Sequence, residues 1–196
     1  FALVMTGVIL LWSVLVNAPL EGAANPDHSP NPAKAAWYFM GIQELLLHFH
    51  PTFGAIVIPA LALVVLAIIP YQRFDMSAEG VWFRSRRGRV MAVTAAVAAL
   101  ILTPALVLLD EFWLDLPALL PSLPTILSNG WVPLATLLLG LLAFYEIMKK
   151  LFRATACETR QSLFVLLVVG FIVLTVIGVF FRGEGMALVW PWEVMG

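Results

Sequence analysis

The sequence contains one cysteine, Cys157, and this scarcity excludes several kinds of site. A single thiol cannot form an intramolecular disulfide, a CxxC redox pair or a CxxCH haem-attachment site. Charged residues are also sparse, because Asp, Glu, Lys and Arg together make up 12% of the 196 residues. Soluble domains contain about 25% charged residues. The composition therefore excludes an ordinary soluble domain.

Long apolar runs take up most of the chain. Hydrophobic residues make up 62% of it, and the mean hydropathy is +0.97. A helix needs about 20 apolar residues to cross a bilayer, and five runs approach this length: 2–16, 52–69, 90–109, 131–148 and 163–181. The runs are continuous rather than alternating, and an open sheet cannot satisfy its backbone in lipid. The sequence therefore predicts an all-α integral membrane protein of about five transmembrane helices.

Basic residues are concentrated in two of the connecting loops. Loops 71–89 and 149–161 hold nine of the 11 Lys and Arg residues. If five helices alternate in direction, both loops lie on one side, which the positive-inside rule assigns to the cytoplasm. Loop 20–51, loop 110–130 and the C-terminus are then predicted to face the outer side.

The outer-side loops carry acids and tryptophans instead. Loop 110–130 contains Asp110, Glu111 and Asp115 but no basic residue, and the C-terminal tail contains Trp190 and Trp192. Amphipathic aromatic rings favour the headgroup layer. Both segments are expected to be membrane-surface anchors.

The stretch 25–51 combines prolines, aromatic residues, all three histidines and a carboxylate in an apolar run. Its prolines predict an extended, turn-rich backbone up to about residue 36. A short helix is expected to follow, and in such a helix Trp37, Met40 and Glu44 would share one face. A rigid turn and a short helix along the membrane surface can roof a pocket.

Several motifs in residues 1–109 resemble one family. The pattern NP-x-x-x-P, the WYF triplet, the helix ending in IIPY and the basic segment FRSRRGRV are similar to the C-terminal half of cytochrome b. In split complexes this half is subunit IV of quinol:cytochrome c or plastocyanin oxidoreductases. Residues 1–109 are thus expected to form a cytochrome b C-terminal-like domain of three helices. Residues 110–196 are expected to form a two-helix extension.

The resemblance also implies a site. In the family a P-E-W-Y motif lines the quinol-oxidation pocket, and its glutamate is replaced here by Ala36. We hypothesise that Glu44, about two helical turns later, supplies the displaced carboxylate as the catalytic group, because an ionisable group at membrane depth is a functional candidate. In the alternative, Glu44 pairs with a partner subunit or lies among headgroups. The predicted quinol-binding residues are Trp37, Tyr38, Phe39, Met40 and Gln43.

The function implied by the resemblance is that of a quinol-oxidising electron-transfer subunit in an energy-transducing membrane, such as the bacterial inner membrane. The chain would release quinol protons on the outer side and bind no cofactor through its own ligands. The b haems would belong to an N-terminal cytochrome b-type subunit. An iron–sulfur protein of the Rieske type and a c-type cytochrome would be further partners in a dimeric complex.

Two other functions fit the residues in part. A structural subunit without an active quinol site would explain the loss of the motif glutamate. A transporter or channel would need several intramembrane ionisable groups, and only Glu44 and Glu146 lie near helical interiors. No metal site is expected, since His48 and His50 are two residues apart and point to different faces of a helix. Cys157 is expected to be inert.

Overall fold

The computed structural model describes residues 2–15, 33–71, 83 and 85–194, and this part of the chain is helical without a β-strand. Two compact units are present, Phe1–Pro30 and Asn31–Gly196. The first contains α1, and the second contains all the other helices. The helices are α1 (Ala2–Leu15), α2 (Met40–Leu47), α3 (Ile58–Ile68), α4 (Arg86–Phe112), α5 (Leu116–Leu119), α6 (Val132–Leu151), α7 (Ala156–Phe180) and α8 (Pro191–Val194).

Three of the helical segments are long and apolar enough to cross a membrane. They are α4, α7 and the segment Leu127–Leu151, in which a π-helical turn precedes α6. The segments Ala2–Leu15 and Phe53–Ile68 are apolar but shorter. All five predicted runs are therefore helical, and the prediction of an all-α membrane protein is confirmed in its general form.

Two of the long helices begin earlier than their apolar runs, because polar residues cap them. Ser85 accepts a hydrogen bond from the backbone N–H of Gly88 at 2.8 Å, so that α4 begins at Arg86. Thr155 and Glu158 form a capping box at the start of α7. Such caps satisfy the backbone N–H groups that an N-terminus leaves open. The predicted loop 149–161 is consequently reduced to a short turn between α6 and α7.

Helix α7 is the centre of the second unit and packs against α2, α4 and α6. Small residues allow the close approach of α2. A Cβ atom on Gly41 would lie 2.9 Å from the carbonyl oxygen of Phe171, and one on Gly178 would lie 3.3 Å from the carbonyl oxygen of Met40. Helices in membranes associate through such small residues, because lipid provides little hydrophobic drive for their contact.

We expect Gly41→Ala to destabilise the contact between α2 and α7 by about 1–3 kcal/mol, the usual cost of overpacking. The added methyl group would meet backbone and side-chain atoms of Phe171 and Thr175 that cannot all move aside. Gly140→Ala is the matched control, because a Cβ atom there meets nothing within 4 Å. Thermal unfolding in detergent should show a lower midpoint for Gly41→Ala alone. Equal midpoints for the two variants would contradict the close packing.

Opposite ends of the long helices differ in charge. At one end the guanidinium of Arg87 donates to the carbonyl oxygen of Arg153 at 2.8 Å, and Ser85 donates to Glu158 at 2.5 Å. The described parts of loops 71–89 and 149–161 therefore meet, and we call this the basic end. The acidic end comprises residues 33–53, 109–131 and 180–194. It contains α2, the end of α4, the start of α6 and the chain after α7.

Candidate functional site

Arg182 is the centre of a buried ion cluster at the acidic end. It follows directly after α7, and only 1% of its surface is exposed. Its Nε lies 2.9 and 3.1 Å from the two carboxylate oxygens of Glu44, and its Nη2 lies 2.7 Å from Oε1 of the same group. Its Nη1 donates to Glu111 and to the carbonyl oxygen of Met186, both at 2.8 Å. One guanidinium thus joins α2, α4 and the chain after α7.

The chain after α7 folds back to complete the enclosure of Arg182. The N–H of Val189 donates to the carbonyl oxygen of Phe181, and that of Gly183 donates to Ala187, both at 2.9 Å. The reversal includes Gly185 at φ +63°, a conformation that glycine adopts at little cost. It presents the carbonyl oxygen of Met186 to the guanidinium. The tail therefore supplies part of the site rather than only a surface anchor.

His48 extends the cluster from α2 to α4. Its Nδ1 lies 2.5 Å from Oδ2 of Asp110, and its Nε2 lies 3.7 Å from Oε1 of Glu44, one helical turn earlier. The latter distance is too long for a hydrogen bond, and Nε2 is buried without a hydrogen-bond partner. The Nε2–Glu44 contact is therefore an electrostatic one.

These contacts favour the charged forms of His48 and Glu44. Burial alone would lower the pKa of His48, but the hydrogen bond with Asp110 and the negative charges of Asp110 and Glu44 outweigh it and raise this pKa to about 9. Burial would raise the pKa of Glu44, but the contacts with His48 and Arg182 outweigh it and lower this pKa. A buried charge is stable only when it is paired and hydrogen-bonded. The cluster meets this condition for each of the two groups.

A groove of about 390 Å³ opens beside the cluster. We call it the His48–Asp110 groove, and it is lined by residues 47–49, 110–117 and 129. Its volume lies within the range of about 300–1,000 Å³ that small-molecule sites occupy. The side chain of Asp110 is 35% exposed, whereas that of Glu44 is 0% exposed. The groove thus offers a ligand the partly accessible carboxylates of Asp110 and Glu111 and keeps Glu44 out of reach.

The predicted aromatic segment lies outside α2. The helix begins at Met40, and the residues before it form a turn in which the N–H of Phe39 donates to the carbonyl oxygen of Ala36 at 2.7 Å. The expectation that Trp37 shares a helical face with Met40 and Glu44 is therefore wrong. The side chain of Trp37 is 72% exposed, while Met40 is buried. Trp37, Tyr38 and Phe39 form an exposed aromatic row, with adjacent ring centroids 5.7 and 5.1 Å apart.

Other predicted residues have partners within the chain. The side-chain oxygen of Gln43 accepts from the N–H of Ala35 at 2.7 Å, and its nitrogen donates to the carbonyl oxygen of Ala33 at 2.9 Å. Lys34 donates to the carbonyl oxygen of Val179 at 3.1 Å, where a cation complements the C-terminal end of α7. Residues 33–36 are thereby tied to α2 and α7.

Sequence reasoning missed most of the cluster. It singled out Glu44 but treated Asp110 and Glu111 as part of a surface anchor, and it assigned no role to Arg182. His48 pairs with Asp110. The sequence did contain a signal for the cluster. These charged residues lie close to the ends of apolar runs, at helix ends that are predicted to lie on the same side of the membrane. Among the described residues no group of three or more His, Cys, Asp or Glu side chains has the arrangement of a metal site.

Comparisons with known proteins do not identify a family. No family model, curated protein or solved structure matches the chain. The resemblance of residues 1–109 to cytochrome b therefore stays a prediction from motifs. The buried cluster and the groove beside it are the features of this chain from which a function can be inferred.

Proposed function

We propose that this chain is a membrane subunit of a quinol-oxidising cytochrome bc-type electron-transfer complex and forms part of its outer-side quinol-oxidation site. The protein supplies one wall of the site and no redox centre of its own. Its partners are an N-terminal cytochrome b-type subunit with b haems, an iron–sulfur protein of the Rieske type and a c-type cytochrome. The complex is a dimer, as in the family that the motifs resemble.

The observation that carries this proposal is the His48–Asp110 groove. A quinol carries two hydroxyl groups on an aromatic ring, so its site needs aromatic side chains and a few polar groups placed near the membrane boundary. The groove includes the aromatic side chains of Phe49, Phe112 and Trp113 beside a largely polar lining. It also holds the His48–Asp110 pair directly after the apolar run of α4. These polar groups can bind a hydroquinone hydroxyl, and the aromatic side chains can pack against its ring.

Orientation in the membrane follows from the charges. The basic end lies in the cytoplasm, with loops 71–89 and 149–161, and the acidic end faces the outer side. In this orientation the five apolar helices that the sequence predicts cross the bilayer of an energy-transducing membrane. Residues 33–47 lie along the outer surface, where the exposed row Trp37–Phe39 and the helix α2 roof the quinol site.

A second function is favoured by the burial of the predicted catalytic residue. The carboxylate of Glu44 is bound by Arg182, and the side-chain amide of Gln43 forms hydrogen bonds with the backbone of Ala33 and Ala35. In a scaffold subunit without an active quinol site, this cluster would only join α2, α4 and α7. The two functions differ in whether an added quinol reduces the b haem of the assembled complex.

The decisive experiment is a reduced-minus-oxidised optical spectrum of the complex purified in mild detergent through an affinity tag on this chain. A b-haem band that appears when a quinol is added is the expected result. Haem that is reduced by dithionite but not by any quinol would support the scaffold function. A complete complex that contains no haem would overturn the assignment to a cytochrome bc-type enzyme.

Three tryptophan variants locate the quinol. We expect Trp113→Ala to raise the KM for quinol roughly tenfold, because it removes one aromatic wall of the groove. Trp37→Ala tests the exposed row that the motif predicts. Trp192→Ala is the matched control, since Trp192 is also largely exposed at the acidic end but does not line the groove. An unchanged KM for both Trp113→Ala and Trp37→Ala would contradict a quinol site at this end.

A further inference from the structure

We propose that Asp110 accepts a proton of the bound hydroquinone, and that Glu44 does not touch the substrate. The inference rests on the proposed function and assigns one residue a role in its chemistry. The sequence alone favours Glu44 for this role, whereas the proposal assigns it to a carboxylate on α4.

Accessibility separates the carboxylates at the acidic end. Both oxygens of Glu44 face the guanidinium of Arg182, and no part of its side chain is exposed. Glu111 is partly exposed, but its Oε2 is held by Nη1 of the same arginine. The side chain of Asp110 is 35% exposed in the wall of the groove, and its contact to the cluster runs through Oδ2 to His48. A substrate hydroxyl can therefore reach Asp110 without displacing the arginine.

The position of Asp110 along α4 matches that of a quinol headgroup. Residues 90–109 form the apolar run of this helix, and Asp110 is the first ionisable residue after it. A quinone that enters from the lipid would keep its tail beside such a run and bring its ring to the end of it. The exposed side chains of Phe112 and Trp113 flank the carboxylate there. Aromatic rings of this kind favour the membrane boundary.

His48 acts as a positioning residue for this carboxylate. Its Nδ1–H is directed at Oδ2 of Asp110, and the ring is itself held over Glu44 on the same helix. The contact orients the carboxyl group, which is the condition for efficient proton transfer. The charges that face the imidazole are those of Glu44 from α2, Asp110 and Glu111 from α4, and Arg182 from the chain after α7.

The step balances in protons and electrons. One O–H bond of the hydroquinone breaks, and its proton binds to the carboxylate of Asp110. The two electrons would pass to the redox centres of the partner subunits, an iron–sulfur cluster and a b haem, the second O–H proton would pass to water, and quinone remains. Asp110 then releases its proton to water at the acidic end, where its side chain is partly exposed. Loss of an electron makes the hydroxyl group strongly acidic, so a carboxylate is a sufficient base.

The test compares Asp110→Asn with Glu193→Gln in the purified complex. Asparagine has the shape of aspartate and can still accept a hydrogen bond from His48, but it cannot take up the proton. Glu193 is exposed at the acidic end outside the groove, and glutamine can still accept its hydrogen bond from the N–H of Trp190. We expect Asp110→Asn to lower the rate of quinol-dependent haem reduction by a factor of about 10²–10⁴, the usual contribution of a positioned base. Glu193→Gln should keep the wild-type rate.

Each rate is divided by the b-haem content of the sample, so that a lower yield of assembled complex does not change the measured rate. In Asp110→Asn the remaining rate should rise with pH, since hydroxide or water must then take up the proton, and Asp110→Glu should restore part of the activity. Equal rates for Asp110→Asn and wild type would overturn the proposal for Asp110. A wild-type complex whose haem no quinol reduces would instead overturn the proposed function.

Discussion

Replacement of Arg182 by methionine is expected to lower the free energy of unfolding by about 3–5 kcal/mol, which is the cost of breaking a buried ion pair from one side. Methionine fills a similar volume but provides no charge. Glu44 would then stay fully buried without its main partner, and Glu111 would lose its contact as well. In a protein of this size the unfolding midpoint should fall by about 6–20 °C.

The loss should be specific to this arginine. Arg89→Met is the matched control, because Arg89 is exposed on α4 at the basic end. We expect it to change the stability by less than about 0.5 kcal/mol, as surface substitutions do. Thermal unfolding of the detergent-purified protein measures both variants under one condition. Similar midpoints for Arg182→Met and Arg89→Met would show that the cluster does not stabilise the fold.

A double variant separates the missing charge from the missing packing. Glu44→Gln removes the carboxylate that Arg182→Met leaves unpaired. The double variant Glu44→Gln/Arg182→Met should therefore be more stable than the sum of the two single effects predicts, by more than about 1 kcal/mol. Strict additivity would mean that the two groups do not interact. The same Glu44→Gln variant shows whether quinol oxidation depends on Glu44 at all.

The second large effect is a loss of stability at alkaline pH. His48 has a pKa raised from 6.5 to about 9, so the folded state holds its proton more tightly than the unfolded state. The resulting stabilisation is complete below pH 6.5 and is lost as the pH rises through about 9. A tenfold change in proton affinity corresponds to about 1.4 kcal/mol, so the raised pKa of His48 contributes about 3 kcal/mol to the free energy of unfolding.

The acidic limit of the same cluster is set by Glu44. Its pKa is lowered from 4.5, so its contribution is present above pH 4.5 and is lost as the pH falls further. The cluster should therefore stabilise the protein most between pH 4.5 and 6.5, with a gradual decline toward pH 9. The groups that hold the imidazolium are Asp110 and Glu44, with Glu111 and Arg182 completing the surrounding charges.

Unfolding midpoints measured from pH 5 to pH 10 in one detergent check this prediction. The wild type should lose stability above about pH 7, whereas His48→Gln should lose this slope because the titrating group is absent. His50→Gln is the matched control, since His50 lies outside the cluster and contacts Thr52 and Asn129 instead. A slope that persists in His48→Gln would assign the alkaline loss to another group.

Much of the fold can be predicted from the sequence because membrane insertion imposes strong and local requirements. Continuous apolar runs predict the positions of five helices, and the pairing of basic segments predicts which helix ends meet. The contact of Arg87 with the backbone of Arg153 agrees with the second prediction. Helix boundaries were less accurate, because Ser85 and Thr155 extend two helices into segments that hydropathy alone assigns to loops.

The candidate site could be predicted only in part. An isolated carboxylate in an apolar stretch made Glu44 conspicuous, and the aromatic triplet before α2 was visible in the motif. The predicted start of the helix was wrong, since α2 begins only at Met40. Trp37 therefore lies in the turn before the helix and is exposed, whereas Met40 and Glu44 are buried. A sequence pattern gives the period of a helix but not the residue at which the helix begins.

The amino-acid sequence by itself thus determined that the chain is a helical membrane protein with a basic and an acidic end. Only the tertiary structure decided which of its charges meet. Arg182 is 138 residues from Glu44 and 71 from Glu111, and their contact depends on the length of α7, the close approach of α2 at Gly41 and the reversal of the chain at Gly185. Apolar burial acts on whole segments and can be read along a chain, whereas an ion pair requires two particular atoms to lie within a few ångströms.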